Sequence, residues 1–120
     1  AILLTFALSL FASNISTAQA HTGLLSSSPK AASVISTWPT KVTLTFNEAI
    51  VVLPAKSVNW IIVKDSLGHR VDLGKSSVKG STIFVGLKPS ATEGRFQVQY
   101  RVVSGDGHPV TNKFSFRYKK

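Results

Sequence analysis

The chain has 120 residues, with 14 Lys and Arg against 5 Asp and Glu, a formal charge of +9, and neither Cys nor Met. That length is one domain. The missing thiols exclude disulfides, thiolate zinc or iron–sulfur clusters and a cysteine nucleophile, so any metal must be held by nitrogen and oxygen. A composition of 43% hydrophobic and 16% charged residues is that of a globular domain rather than a basic tail, and its charge suits a polyanion or a membrane surface as partner.

Residues 1–12, AILLTFALSLFA, are apolar and uncharged but shorter than the ~20 residues that span a bilayer. A polar stretch follows and ends in Ala18-Gln19-Ala20, the small-x-small pattern of a signal-peptidase site. The expected organisation is a leader over 1–20, truncated at its start, cut between Ala20 and His21, and one exported domain over 21–120. Export removes no charged residue. The secreted domain, about 100 residues long, can bury only roughly two-thirds of its unfolded surface.

Beyond His21 the hydrophobic pattern has period two, punctuated by Pro or Gly about every ten residues. In Lys41–Phe46, Val42, Leu44 and Phe46 share a face opposite Thr43 and Thr45, as in a half-buried antiparallel strand. Further strands are predicted over 59–64, 71–73 (joined to the preceding one through Asp65-Ser66-Leu67-Gly68), 82–87, 95–103 and 113–118. In the long one, Phe96, Val98, Tyr100 and Val102 share a face. The serines at 26–28 read as a loop or the boundary of a short first strand. About seven short strands without a helix predict an all-β, immunoglobulin-like or cupredoxin-like Greek-key sandwich or barrel. Trp38, Trp60, Phe46, Phe84, Phe96, Phe114 and Phe116 are its expected aromatic core.

Two of the three histidines have unusual positions: His21 at the expected new terminus, and His108 within Ser104-Gly105-Asp106-Gly107-His108-Pro109. A terminal histidine offers its α-amine, with a reference pKa of ~8, and its imidazole to one ion. Copper(II) leads the affinity order for nitrogen donors and prefers a square of N and O ligands. Gly107 lets the backbone bend so that the Asp106 carboxylate and the His108 imidazole converge. Taken singly, each feature also has a plain explanation: Asp-Gly is a turn signal, and an exported chain must begin with some residue. His69 reads as a surface histidine.

Taken together, residues 21–29 (HTGLLSSSP), the strand Val-Thr-Leu-Thr-Phe-Asn-Glu ending at Glu48, and residues 100–110 (YRVVSGDGHPV) with Phe114-Ser-Phe116 resemble the CopC family of periplasmic copper-binding proteins. The resemblance covers nearly the whole exported chain. It implies a cupredoxin-like Greek-key fold and a copper carrier or buffer in the periplasm. His21 would contribute amine and imidazole, Asp106 a carboxylate oxygen and His108 an imidazole to one Cu(II). Glu48 would orient a ligand by accepting a hydrogen bond. A methionine-rich Cu(I) site, present in some relatives, has no counterpart in a chain without Met. A monomer is expected, and the resemblance points to an inner-membrane copper transporter of the CopD type as partner.

The alternative is a histidine-brace copper oxidase similar to lytic polysaccharide monooxygenases. Such an enzyme needs an open equatorial position for oxygen, which Asp106 would fill here, so no enzymatic activity is expected. The cations are spread without interleaved aromatics, which gives nucleic-acid binding no support. They favour instead a weak contact with anionic lipid headgroups.

Overall fold

The computed structural model describes residues 23–89 and 91–120, and every regular element among them is a β-strand. The strands are β1 (Leu24–Ser28), β2 (Val34–Ile35), β3 (Lys41–Phe46), β4 (Trp60–Lys64), β5 (Asp72–Lys79), β6 (Thr82–Leu87), β7 (Gly94–Val103) and β8 (Pro109–Tyr118). They form two four-stranded sheets, ordered β1-β3-β6-β5 and β2-β8-β7-β4. The all-β expectation therefore holds in its sandwich form.

Alternation builds the core. Val42, Leu44 and Phe46 of β3 and Ile83, Val85 and Leu87 of β6 face Ile61 and Val63 of β4 and Phe96, Val98, Tyr100 and Val102 of β7, all of them buried. Because side chains on a strand alternate between faces, this inward set also fixes which residues face outward. Aromatic packing divides along the sandwich. Trp38 lies 4.8 Å from Phe96, which stacks on Phe116 at 5.4 Å, while Phe46 and Tyr100 meet edge to face at 5.5 Å.

The structure departs from the sequence expectation in three places. The strands expected over 71–73 and 113–118 run over 72–79 and 109–118, and eight strands form because β1 and the two-residue β2 pair with β3 and β8. The segments on either side of Asp65–Gly68 belong to different sheets: only Lys64 and Arg70 bridge before the chain crosses over. Finally, Trp60 and Phe84 occupy outward register positions and are half-buried. Both alternation sets of β4 and β6 contain large apolar residues, and the aliphatic one takes the interior. Lys41 covers the Phe84 ring from outside, its Nζ 5.2 Å from the centroid, a cation–π contact.

The crossing from β4 to β5 is pinned by Asp72, whose side chain is fully buried. Its Oδ2 accepts the N–H of Val63 at 2.8 Å, and its Oδ1 accepts the N–H of Gly74 and an Nη2–H of Arg70 at 2.9 and 2.7 Å. Farther along, Ser76 Oγ accepts the N–H of Ile61 at 2.9 Å. Side chains of one edge strand thus satisfy the open N–H groups of the other, which removes an edge that could otherwise pair with another chain.

Burial pushes the Asp72 carboxyl up, but the hydrogen bond from Arg70 and those from the backbone at Val63 and Gly74 outweigh it and hold the group below its ordinary value. A depressed carboxyl stabilises the fold above its unfolded-state pKa, and that contribution is lost as pH falls through the folded-state value. Asp72→Ala leaves two N–H groups and part of a guanidinium unsatisfied, and is expected to cost about 2–3 kcal/mol at neutral pH. In urea unfolding series between about pH 6 and pH 2, the variant should also show a shallower acid decline than the parent chain.

Candidate metal centre

The end of the sandwich where β3 and β7 finish is held together by residues 46–51. The N–H of Phe46 donates to the Ser81 carbonyl, that of Asn47 to Gly23, that of Ile50 to Gly80 and that of Val51 to Val103, at 2.8–3.0 Å. Asn47 returns a bond, its Oδ1 accepting the N–H of Gly23 at 2.8 Å. One short segment therefore joins the start of the described chain, the β5–β6 turn and the end of β7. Asn47 and Ile50 are at most about 10 Å apart along an extended backbone, and Ile50 bridges Ser104. Gly23 and the 104–108 turn consequently lie at the same end of the molecule.

The turn itself is organised by Asp106. Its Oδ1 accepts the hydroxyl of Ser104 at 2.5 Å and the N–H of His108 at 3.0 Å, a side-chain-closed turn of the kind short Asp residues favour. Ser104 is buried at 1% exposure, so the carboxylate is tied to the core by a short charge-assisted bond. Gly107 has φ +82°, the left-handed conformation that a side chain would resist. The outcome is the convergence expected of the Asp-Gly-His spacing: Asp106 Oδ2 lies 3.3 Å from His108 Nδ1, on an imidazole that is largely exposed.

Two donors each about 2.0–2.1 Å from one metal and set at a right angle would be about 2.9 Å apart. The observed 3.3 Å is about 0.4 Å longer than that separation, so the two side chains stand near the spacing of adjacent corners of a square-planar site. Among the described residues no group of three or more His, Asp or Glu side chains converges. His21, the residue expected to complete the set, lies outside the described residues.

Glu48 is exposed and follows Asn47 on the bridging segment. Among the described residues its carboxylate accepts no hydrogen bond. His69 sits at the opposite end, in the β4–β5 turn, its Nδ1 3.5 Å from Asp65 Oδ2. The length of β7 separates it from His108.

Sequence reasoning missed the residues that hold the turn in place. Asn59 Nδ2 donates to the Val51 carbonyl at 2.7 Å and its Oδ1 accepts the N–H of Val103 at 2.8 Å, so a single amide clamps both segments that converge on the turn. The signal was available in principle, because Asn59 and Asn47 are polar amides at strand ends, where such side chains substitute for missing backbone partners.

Comparison with known proteins gives a consistent picture. The family model described as the CopC domain matches residues 24–119. The chain is 31% identical over 107 residues to the copper transport protein CutJ of Bacillus subtilis (strain 168), covering 87% of this chain but only 19% of CutJ. It is 30% identical over 106 residues to copper resistance protein C of Pseudomonas syringae pv. tomato, covering 85% of this chain and 83% of that protein. Among solved structures, CopC from Methylosinus trichosporium OB3b aligns with a TM-score of 0.71 at 27% identity, over 82% of this chain and 94% of that one. PcoC, a methionine-rich copper resistance protein from Escherichia coli, aligns with a TM-score of 0.67 at 26% identity, over 83% and 100% respectively.

Asn59→Ala should cost about 2 kcal/mol, because it leaves the Val103 N–H and the Val51 carbonyl without their partner. Hydrogen exchange should accelerate at Val103 and through the 104–108 turn, while the amides of β6 keep their protection.

Proposed function

The chain belongs to the CopC family, and from that premise we propose that it is an exported copper(II)-binding protein that carries or buffers the ion in the periplasm. The carrying observation is the facing of Asp106 Oδ2 and His108 Nδ1 at 3.3 Å in a turn at the end of the sandwich where Gly23 is anchored. The remaining two corners come from the α-amine and imidazole of His21, set free when the leader over 1–20 is cleaved after Ala20. Before cleavage that nitrogen is a planar amide of negligible basicity, so the complete site exists only in the processed domain over 21–120. This couples copper binding to export.

In this reading His21 and His108 supply three nitrogens and Asp106 one oxygen to a single Cu(II), a hard-borderline donor set suited to a tetragonal ion. Ser104 keeps Asp106 Oδ1 occupied, which turns the other oxygen toward the metal side. Glu48, on the segment next to Gly23's partner Asn47, accepts a hydrogen bond from the terminal amine or from a ligand imidazole and orients it. Soft thioether ligands are absent from a chain without Met, in contrast to the methionine-rich PcoC. That favours one Cu(II) site with no partner site for Cu(I).

A set of four filled corners holds and transfers an ion rather than activating oxygen on it. The relatives are named for copper transport and copper resistance, which favours the carrier over the histidine-brace oxidase. The domain acts as a monomer and hands its ion to a membrane transporter of the CopD type. Its positive charge adds a weak attraction to an anionic membrane surface.

The test is copper loading of the processed protein. Electron paramagnetic resonance at one equivalent should show a tetragonal centre with three nitrogens and one oxygen. His108→Ala, or chemical blocking of the α-amine, should weaken binding about 100-fold or more. Asp106→Ala should remove the oxygen from the spectrum. Full affinity in a chain with a blocked amine would refute the proposed site.

A further inference from the structure

The outer face of the β2-β8-β7-β4 sheet carries charge of one sign. Phe96, Val98, Tyr100 and Val102 point into the core, so Arg95 and Arg101 of β7 point out, and register carries Arg117 and Lys113 of β8 to the same face. On β4, Lys64 stands opposite Gln97 and completes a set of five cations. Three of the four arginines in the chain are in this set.

Arg95 and Arg117 are direct cross-strand partners, an arrangement of like charges that destabilises a sheet on its own. Among the described residues no carboxylate occupies the face. Asp65, at its rim, is turned into its own loop, with Oδ1 accepting the N–H groups of Leu67 and His69. Glu93 is engaged by the N–H of Lys120. Among the described residues the five cations form no ion pair, since those present join Arg70 to Asp72 and two histidines to Asp65 and Asp106.

From this arrangement we infer that the outer face of the β2-β8-β7-β4 sheet is a docking surface for the anionic headgroups of a phospholipid bilayer. The inference rests on the export reading above and assigns the membrane attraction to one face. Arg95, Lys113 and Arg117 line one depression beside residues 31–34, and Arg101 and Lys64 lie outside it, so the cations extend over three strands at the ~5 Å interstrand spacing, which suits an extended anionic plane better than a single bound anion. Trp60 and Ile62 lie on the same face, opposite Arg101 and Gln99, and both are half-buried. An amphipathic indole beside cations is the composition found at headgroup level. With this face down, the strands run parallel to the membrane. The 104–108 turn at the end of β7 then projects along the surface, open to a partner embedded in the bilayer.

The experiment is co-sedimentation of the processed protein, recovered from cells, with vesicles containing about one-third phosphatidylglycerol and with pure phosphatidylcholine vesicles as control. Binding is expected only to the former, and it should fall steeply as added salt shortens the screening length below about 8 Å. Each single change among Arg95→Gln, Lys113→Gln and Arg117→Gln should reduce partitioning about fivefold, and the triple variant should abolish it. The pair Lys75→Gln and Lys79→Gln on β5, in the other sheet, removes charge without touching the face and should change partitioning far less.

Equal loss in the β5 pair would overturn the inference, because net charge alone would then explain binding. Displacement by inorganic phosphate beyond that by chloride at equal ionic strength would overturn it in favour of a discrete anion site. Binding to polyglutamate but not to vesicles would overturn it in favour of an acidic protein. Copper affinity measured on the same triple variant should stay unchanged, so failure of the docking surface and failure of the metal site give separate readouts. Circular dichroism and thermal melting confirm folding, with a melting temperature no lower than that of the parent because the opposed Arg95 and Arg117 charges are gone.

Discussion

The end of this molecule that carries the Asp106 turn depends on a short segment that continues out of β3. Residues 46–51 donate backbone hydrogen bonds to Gly23, to the β5–β6 turn and to Val103, so the relative placement of Gly23 and the Asp106 turn is set by a hydrogen-bonded strap. The proposed metal site draws its ligands from two ends of the sequence and would need such a constraint, because each ligand on a loose loop would have to be ordered anew at every binding event. Here the backbone cost is met in folding, and Asn59 and the buried hydroxyl of Ser104 extend the same order into the turn.

The sandwich closes its long side by different means. Edge strands β4 and β5 stand in different sheets, and the Asp72 carboxylate and Ser76 hydroxyl of one cap the N–H groups of the other. An ionised group in the interior is expensive unless its hydrogen bonds are complete. Asp72 has two backbone donors and a guanidinium, and the guanidinium of Arg70 is itself partly in solvent, which limits the cost of desolvating the pair. In a domain without a disulfide, this polar stitching fixes how the two hydrophobic faces meet.

Charge is distributed by the same geometry. Acidic residues sit in turns or are bonded into the fold, while the cations of β4, β7 and β8 share an outward face through register alone. A positive excess that in the sequence looks evenly spread becomes, once strands pair, a one-signed plane on the sheet that also carries the Asp106 turn. CutJ, of which this chain spans 19%, is a longer protein that contains a region similar to this domain.

The period-two alternation in β3, β6 and β7, the all-β class and the Asp-Gly-His turn were legible from the sequence because each rests on neighbours in the chain: alternation follows from strand geometry, and a glycine between a carboxylate and an imidazole acts within three residues. Only tertiary structure decided that Trp60 and Phe84 face outward, that β4 and β5 part into separate sheets, that Asp72 is buried beneath Arg70, and that Asn59 and residues 46–51 hold together the end that carries the Asp106 turn. Those outcomes turn on partners tens of residues away, and a linear pattern in which both faces of a strand are apolar carries no information about which face another sheet will cover.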